Sequence, residues 1–127
     1  MTRKSTFRLG DLQLRIMKVL WSAGPATVAD VQERLEGGPL AYTTVATMLR
    51  KMEERDLVSH RQEGRTFLYE PRVTEEAVVR GMADDLLDRL FAGSLADAVS
   101  HLLESREVSR RELTRLEELI AKHKRRL

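Results

Sequence analysis

Apolar residues recur along the first half of the chain at helical spacing, then at strand spacing, and the order of these patterns predicts an architecture. Leu12, Ile16, Val19 and Leu20 stand at i, i+4, i+7 and i+8, which places them on one helical face; Asp11 is the expected N-cap and "SAGP" the stop. Thr27, with Asp30 in the first turn, predicts a short second helix through Val28, Val31 and Leu35, ended by Gly37, Gly38 and Pro39. A third helix is expected over 42–55, where Val45, Met48, Leu49 and Met52 fall within about 100° of one another. The period then changes. "LVSHRQ" and "TFLYE" are β-prone runs joined through Glu63, Gly64 and Arg65, and Gly64 supplies the positive φ of a tight turn.

Three helices followed by a hairpin is the order of a winged helix-turn-helix, in which one helix enters the major groove of DNA and the hairpin lies against the backbone. On the third helix, Thr43, Thr47, Arg50 and Glu54 gather opposite the apolar stripe, with Thr44 and Ala46 on its flanks. Threonine weakens a helix relative to Ala or Leu. Its hydroxyl reaches a phosphate or base edge, its methyl packs on a thymine methyl, and its short length admits the helix to a groove ~12 Å wide. Threonines near a helix start also serve as caps and solvated surface, and it is the winged context that favours the groove-facing role. Arg50 and Lys51 are placed to clamp phosphates beside the groove. Arg61 and Arg65 flank the hairpin tip near His60 and Gln62, where guanidinium groups suit contacts that carry no sequence information.

After Pro71 the periodicity turns helical again, so a boundary is expected near Pro71 to Thr74. Val78, Val79, Met82, Ala83, Leu86, Leu87, Leu90 and Phe91 form a broad apolar stripe that contains Gly81. Gly93 ends that helix. Ser94 and Asp97 restart another, with Leu95, Ala98, Val99, Leu102 and Leu103, and Ser109 with Glu112 forms the capping box of a last helix bearing Leu113, Leu116 and Ile120. Three amphipathic helices have more apolar face than a small winged unit covers. A symmetric homodimer is therefore expected, through Val79, Met82, Leu86, Leu90, Phe91, Leu95, Val99, Leu102, Leu103, Leu113, Leu116 and Ile120.

Composition narrows the choices. The 127 residues include 22 Lys/Arg and 20 Asp/Glu, and residues 1–71 carry the excess, with 11 basic against 9 acidic side chains. This mild bias permits nucleic-acid binding without requiring it. There is no cysteine, which excludes disulfides, thiolate nucleophiles and cysteine metal sites and fits a reducing, cytoplasmic setting. No apolar run approaches the ~20 residues of a membrane span, so no membrane insertion is expected. "MTRKSTFR" lacks the apolar segment of a signal peptide and is expected to be a basic, flexible arm over 1–8. His60, His101 and His123 are too scattered for a metal site, and no nucleophile has an adjacent base, so neither catalysis nor a cofactor is expected.

With those features in place, "LGDLQLRIMKVLW", "AYTTVATMLRKMEERDLV" and "EGRTFLYEP" resemble the three signature blocks of the penicillinase repressor family, the BlaI/MecI/CopY type of bacterial regulator. The similarity continues through "FAGSLADAVSHLLES" and the final helix. The resemblance implies a mainly α fold with a small β-hairpin wing: an N-terminal winged helix-turn-helix domain over 9–71 and a C-terminal helical dimerisation domain over 72–127. It implies a homodimeric repressor on double-stranded operator DNA, with Thr43, Thr44 and Thr47 facing the groove and Arg65 at the wing. Ala41, Tyr42 and Thr43 depart from the Ser-Pro-basic start common in the family's recognition helix. Members that control β-lactam resistance are released when a membrane-bound metalloprotease sensor leads to cleavage of an Asn-Phe bond. The matching pair here is His101 and Leu102. Copper-responsive members sense metal through Cys-x-Cys motifs, which this chain lacks. The reading from a different class is a winged-helix protein-interaction or assembly module whose equivalent face meets protein instead of DNA.

Overall fold

The computed structural model describes residues 8–127, so all but the last residue of the expected basic arm lies outside the described residues. The order of elements is α1 (Asp11–Ala23), α2 (Val28–Arg34), α3 (Tyr42–Glu54), β1 (Val58–Glu63), β2 (Thr66–Pro71), α4 (Glu75–Phe91), α5 (Leu95–Ser105) and α6 (Arg110–Arg125). The mainly helical fold with one antiparallel hairpin agrees with the expectation. Two compact units divide between Ala83 and Asp84, inside α4.

In the first unit, Ile16, Met17 and Leu20 of α1, Val31 of α2 and Val45, Leu49 and Met52 of α3 are fully buried together with Val58 and Val78. Ile16, Leu20, Val31, Val45, Leu49 and Met52 are positions that 3.6-residue periodicity assigns to the inner faces, whereas Met17 lies outside that pattern and Leu12, which belongs to it, is only half-buried. Met48, expected beside them, is half-buried, and its sulfur accepts a hydrogen bond from Gln13 Nε2 at 3.5 Å. The compact boundary lies beyond the expected one near Pro71 to Thr74, for a packing reason. Trp21 Nε1 donates to the Val73 carbonyl at 2.9 Å, Val78 completes the core, and Met82 packs against it. Met82, assigned from periodicity to a dimer face, thus contributes to the core of its own unit.

The helix starts are set by local chemistry. Gly10, not Asp11, caps α1: its N–H donates to Gln13 Oε1 at 3.2 Å, and Asp11 is the first helical residue, where its charge favours the helix dipole. Thr27 and Asp30 form the reciprocal capping box of α2, at 3.0 and 3.1 Å. α3 ends in a left-handed turn at Asp56, with φ of 62°. The strands pair from Val58↔Pro71 to Glu63↔Thr66. Gly64, with φ of 64°, takes the first of the two connecting positions, where a type II′ hairpin places glycine. The sequence pattern did not reveal an isolated bridge in which Ala26 and Tyr69 exchange both backbone hydrogen bonds, at 2.9 and 2.8 Å. It fastens β2, on the edge away from β1, to the residue preceding the Thr27 cap.

In the second unit, Ser94 caps α5 by accepting from the Asp97 N–H, and Ser109 caps α6 by accepting from the Glu112 N–H. The Glu112 carboxylate does not complete the reciprocal half of the expected box among the described residues. α4 runs without interruption through Gly81, which is buried. Among the described residues of this unit only Ala98 is buried, while Leu90, Leu95 and Ile120 are 68%, 67% and 56% exposed.

Candidate nucleic-acid interface

The outer face of α3 is built by exclusion. Once Val45, Leu49 and Met52 are committed to the core, the 100° advance per residue leaves Thr43, Thr44, Thr47, Arg50 and Lys51 outside, and all five are exposed. Ala41 caps the helix without a side-chain hydrogen bond, and its first turn carries no acidic residue. The unpaired N–H groups and the positive end of the helix dipole therefore face solvent without a competing carboxylate, an arrangement that suits a phosphate. Tyr42, the first helical residue, is 52% exposed beside Thr43. Sequence reasoning treated it only as a departure from a motif, although an aromatic at a solvent-facing helix start was a readable signal.

Farther along the same face, Arg50 Nη2 lies 3.5 Å from Thr47 Oγ1, which holds the guanidinium over the second helical turn. One turn later Glu53 is engaged from the hairpin. Its carboxylate takes His60 Nδ1 of β1 at 2.8 and 3.0 Å. The His60 ring stacks on Phe67 with centroids 4.4 Å apart and tilts against Tyr69 at 5.5 Å. Tyr69 is buried, and its phenol is pushed above its ordinary value by that burial first, with Glu53 adding to the shift and Arg50 opposing it. The wing is thus joined to α3 through the Glu53–His60 contact, and Phe67 and Tyr69 brace the imidazole within the hairpin.

The two arginines at the wing tip are not equivalent. Arg61 is engaged by carboxylates, with Nε 3.1 Å from Glu63 Oε2 and Nη1 3.3 Å from Glu70 Oε1. Its charge is largely offset where it sits. Arg65, in the two-residue loop, is exposed and has no ion pair among the described residues. The structure brings Thr43, Thr44, Thr47, Arg50 and Lys51 together on one face and places Arg65 at the tip of the hairpin. Behind that face, Gln13 links α1 to the end of α3 by accepting from Arg55 Nη1 at 3.0 Å. Glycine-rich spacing explains the α2–α3 connection as well: Arg15 Nε donates to the Glu36 carbonyl at 2.7 Å, and a Cβ on Gly37 would lie 2.7 Å from that guanidinium.

A tri-helical core, an outer helix face of short hydroxyl side chains and a fastened hairpin define the winged helix-turn-helix class of transcriptional regulator. Comparison with known proteins agrees with this and is more specific. The family model for the penicillinase repressor matches residues 9–122. The chain is 28% identical over 120 residues to the penicillinase repressor of Bacillus licheniformis, covering 94% of each chain. It is 38% identical over 100 residues to the transcriptional regulator BlaI of Mycobacterium tuberculosis, covering 76% of this chain and 72% of that one. The solution structure of the DNA-binding domain of the repressor BlaI superposes with a TM-score of 0.50 and 28% identity, over 59% of this chain and 93% of that domain. The chain belongs to the penicillinase repressor family, a family of transcriptional repressors and not of enzymes.

Proposed function

We propose that this chain is a homodimeric repressor that binds a roughly palindromic operator, with α3 of each copy in the major groove and the hairpin against the backbone. The observation that carries the reading is the exposed Thr43, Thr44, Thr47 and Arg50 face, opposite a fully buried Val45, Leu49 and Met52 stripe. That face belongs to the winged unit, and the comparable domain of the repressor BlaI is a DNA-binding domain. The threonines read base edges and thymine methyls; Arg50, Lys51 and Arg65 hold phosphates. Arg61 contributes less, because Glu63 and Glu70 already occupy its guanidinium.

The reading divides the work between the two parts of the chain, with the start of α4 packed on the first core. Residues 9–71 supply the DNA-binding surface, and residues 72–127 supply the association surface. Leu86, Leu90, Leu95, Leu102, Leu103, Leu113 and Ile120 are each more than a third exposed, and a second copy of the chain would cover them. Val79 is likewise exposed; Val99, Phe91 and Leu116 are half-buried behind this surface. No helix among the described residues is long and apolar enough to cross a membrane. On this reading the repressor acts in the cytoplasm and is released from DNA by an inducing signal, for which a membrane metalloprotease pathway ending in cleavage at His101–Leu102 is the proposed route.

The test is a titration of the full chain with fluorescent duplex from the region upstream of its own gene, against a shuffled duplex, over a range of salt. A repressor binds the upstream duplex more tightly, by the ~10³-fold or more usual for specific sites, with affinity falling steeply as salt rises. Equal affinity for both duplexes would refute operator recognition and favour the protein-interaction reading of the same face.

A further inference from the structure

The last helix carries a concentration of charge that the winged unit does not explain. Residues 110–127 hold 7 Lys/Arg against 3 Asp/Glu, a net +4, whereas residues 72–109 hold 4 against 8, a net −4. Around α6 the charge is ordered. At 100° per residue, Arg111, Arg115, Lys122 and Arg125 fall within an arc of about 80°, centred roughly opposite Leu113, Leu116 and Ile120. Glu118 is the one carboxylate in the basic arc.

Several cations elsewhere are held by carboxylates. Arg80 pairs with Glu76, Arg89 with Asp85, and Arg61 with Glu63 and Glu70. The four cations of α6 are exposed and have no ion pair or hydrogen bond among the described residues. Unpaired like charges on adjacent turns repel one another, and a polyanion relieves that repulsion.

We propose that the basic face of α6 is a second, sequence-independent contact for the phosphate backbone of duplex DNA. From Arg111 to Arg125 the stripe spans ~21 Å, the length of about six base-pair steps, so its four cations are distributed along one groove edge over that length. The angle between the stripes selects this polyanion over a lipid surface. An interfacial helix sinks its apolar face and keeps cations at the borders of that face. Seating Leu113, Leu116 and Ile120 in a bilayer would lift these cations away by about a helix diameter, ~10 Å. A DNA strand on the basic face leaves the apolar stripe free for protein.

The contact does not depend on α3 and is tested on random duplex. The full chain with R111Q/R115Q/K122Q/R125Q retains good helix formers at all four sites. Its salt slope on random duplex is expected to flatten by about 0.9 for each phosphate contact removed, about 3.6 in total, and to flatten equally on the upstream duplex. The R115Q/K122Q variant is expected to show half that change, which keeps the measurement available should the quadruple variant fail to fold. R111K/R115K/R125K, which keeps the charge, is expected to bind as wild type. A slope unchanged in both Gln variants, an equal loss in the Lys variant, or a loss seen only on phosphatidylserine vesicles or only in the association state would overturn the proposal. Failure of operator recognition would appear instead as equal affinity for upstream and random duplex, with the slope change intact.

Discussion

His60 Nδ1 of the hairpin lies 2.8 Å from Glu53 Oε1 of α3, so the wing and the outer helix are joined by a direct side-chain contact. Both side chains are one-third exposed, which limits the strength of the pair and leaves it open to solvent. Behind it, the Phe67 and Tyr69 rings fix the imidazole on the inner side of the hairpin. The angle between wing and helix is then a property of the free protein. A double-mutant cycle of H60A and E53A is expected to give a coupling of roughly 0.2–1 kcal/mol by urea unfolding. Amide exchange in β1 and β2 should accelerate in each single variant. Zero coupling with unchanged exchange would show that the Glu53–His60 contact does not orient the wing.

Thr47 and Arg65 test the two proposed roles, base reading and phosphate holding. Thr47→Ala removes a hydroxyl and a methyl from the exposed face of α3 while keeping a strong helix former. Binding to the upstream duplex should weaken by about 1 kcal/mol, roughly fivefold, and binding to random duplex should barely change. Arg65→Ala should weaken both alike and lower the salt slope by about 1. Equal losses for Thr47→Ala on the two duplexes would contradict base reading.

Much of this site was readable in the sequence because 3.6-residue periodicity determines which side of a helix remains outside once Val45, Leu49 and Met52 are buried. Gly64 and the β-branched and aromatic runs likewise predicted the hairpin and its turn. The contacts that tune the site were not readable. The pairings of Arg61 with Glu70, His60 with Glu53, and Ala26 with Tyr69 join residues of different segments, and their geometry depends on the register and twist of a folded hairpin. The packing of Val78 and Met82 on the first core was missed for a related reason: an apolar helical stripe does not name the surface it covers. A net charge of zero over residues 72–127 also concealed an acidic segment followed by a basic helix.

Leu102 and Ile120 test the association surface. Each is exposed by about half, at 46% and 56%, so aspartate at either position costs the isolated chain little. In a dimer the same charge would be desolvated without a partner. Leu102→Asp and Ile120→Asp should shift sedimentation towards monomer and weaken upstream-duplex binding, because one recognition helix alone makes half the contacts. The first unit should melt as in wild type. Retained dimer in both variants would remove these residues from the interface.

Tyr69 predicts an alkaline limit to stability. Its phenol titrates higher in the folded chain than in the unfolded one, mainly because burial opposes the charged form. The unfolded state therefore loses this proton first as pH rises. The stabilisation is complete below the ordinary tyrosine value of about 10 and is lost as pH climbs through the raised folded value. Tyr69→Phe should leave the melting temperature nearly unchanged at neutral pH and reduce its decline above pH ~10. A decline identical to wild type would assign the alkaline loss to other groups.

His101 and Leu102 are the last test, because the structure sets a condition on cleavage there. Both are exposed, yet they lie within α5, and the His101 ring packs 6.0 Å from that of Phe91. A protease takes its substrate as an extended strand, so a helical bond is cut only after local opening. Ser94→Ala removes the Ser94 Oγ that accepts the Asp97 N–H and should destabilise α5 by about 1 kcal/mol. Cleavage between His101 and Leu102 by a broad-specificity protease should then proceed roughly fivefold faster than in wild type, with no change at sites in α1 or α3, as read by mass spectrometry of timed digests. An unchanged rate would mean that opening of α5 does not control access to this bond.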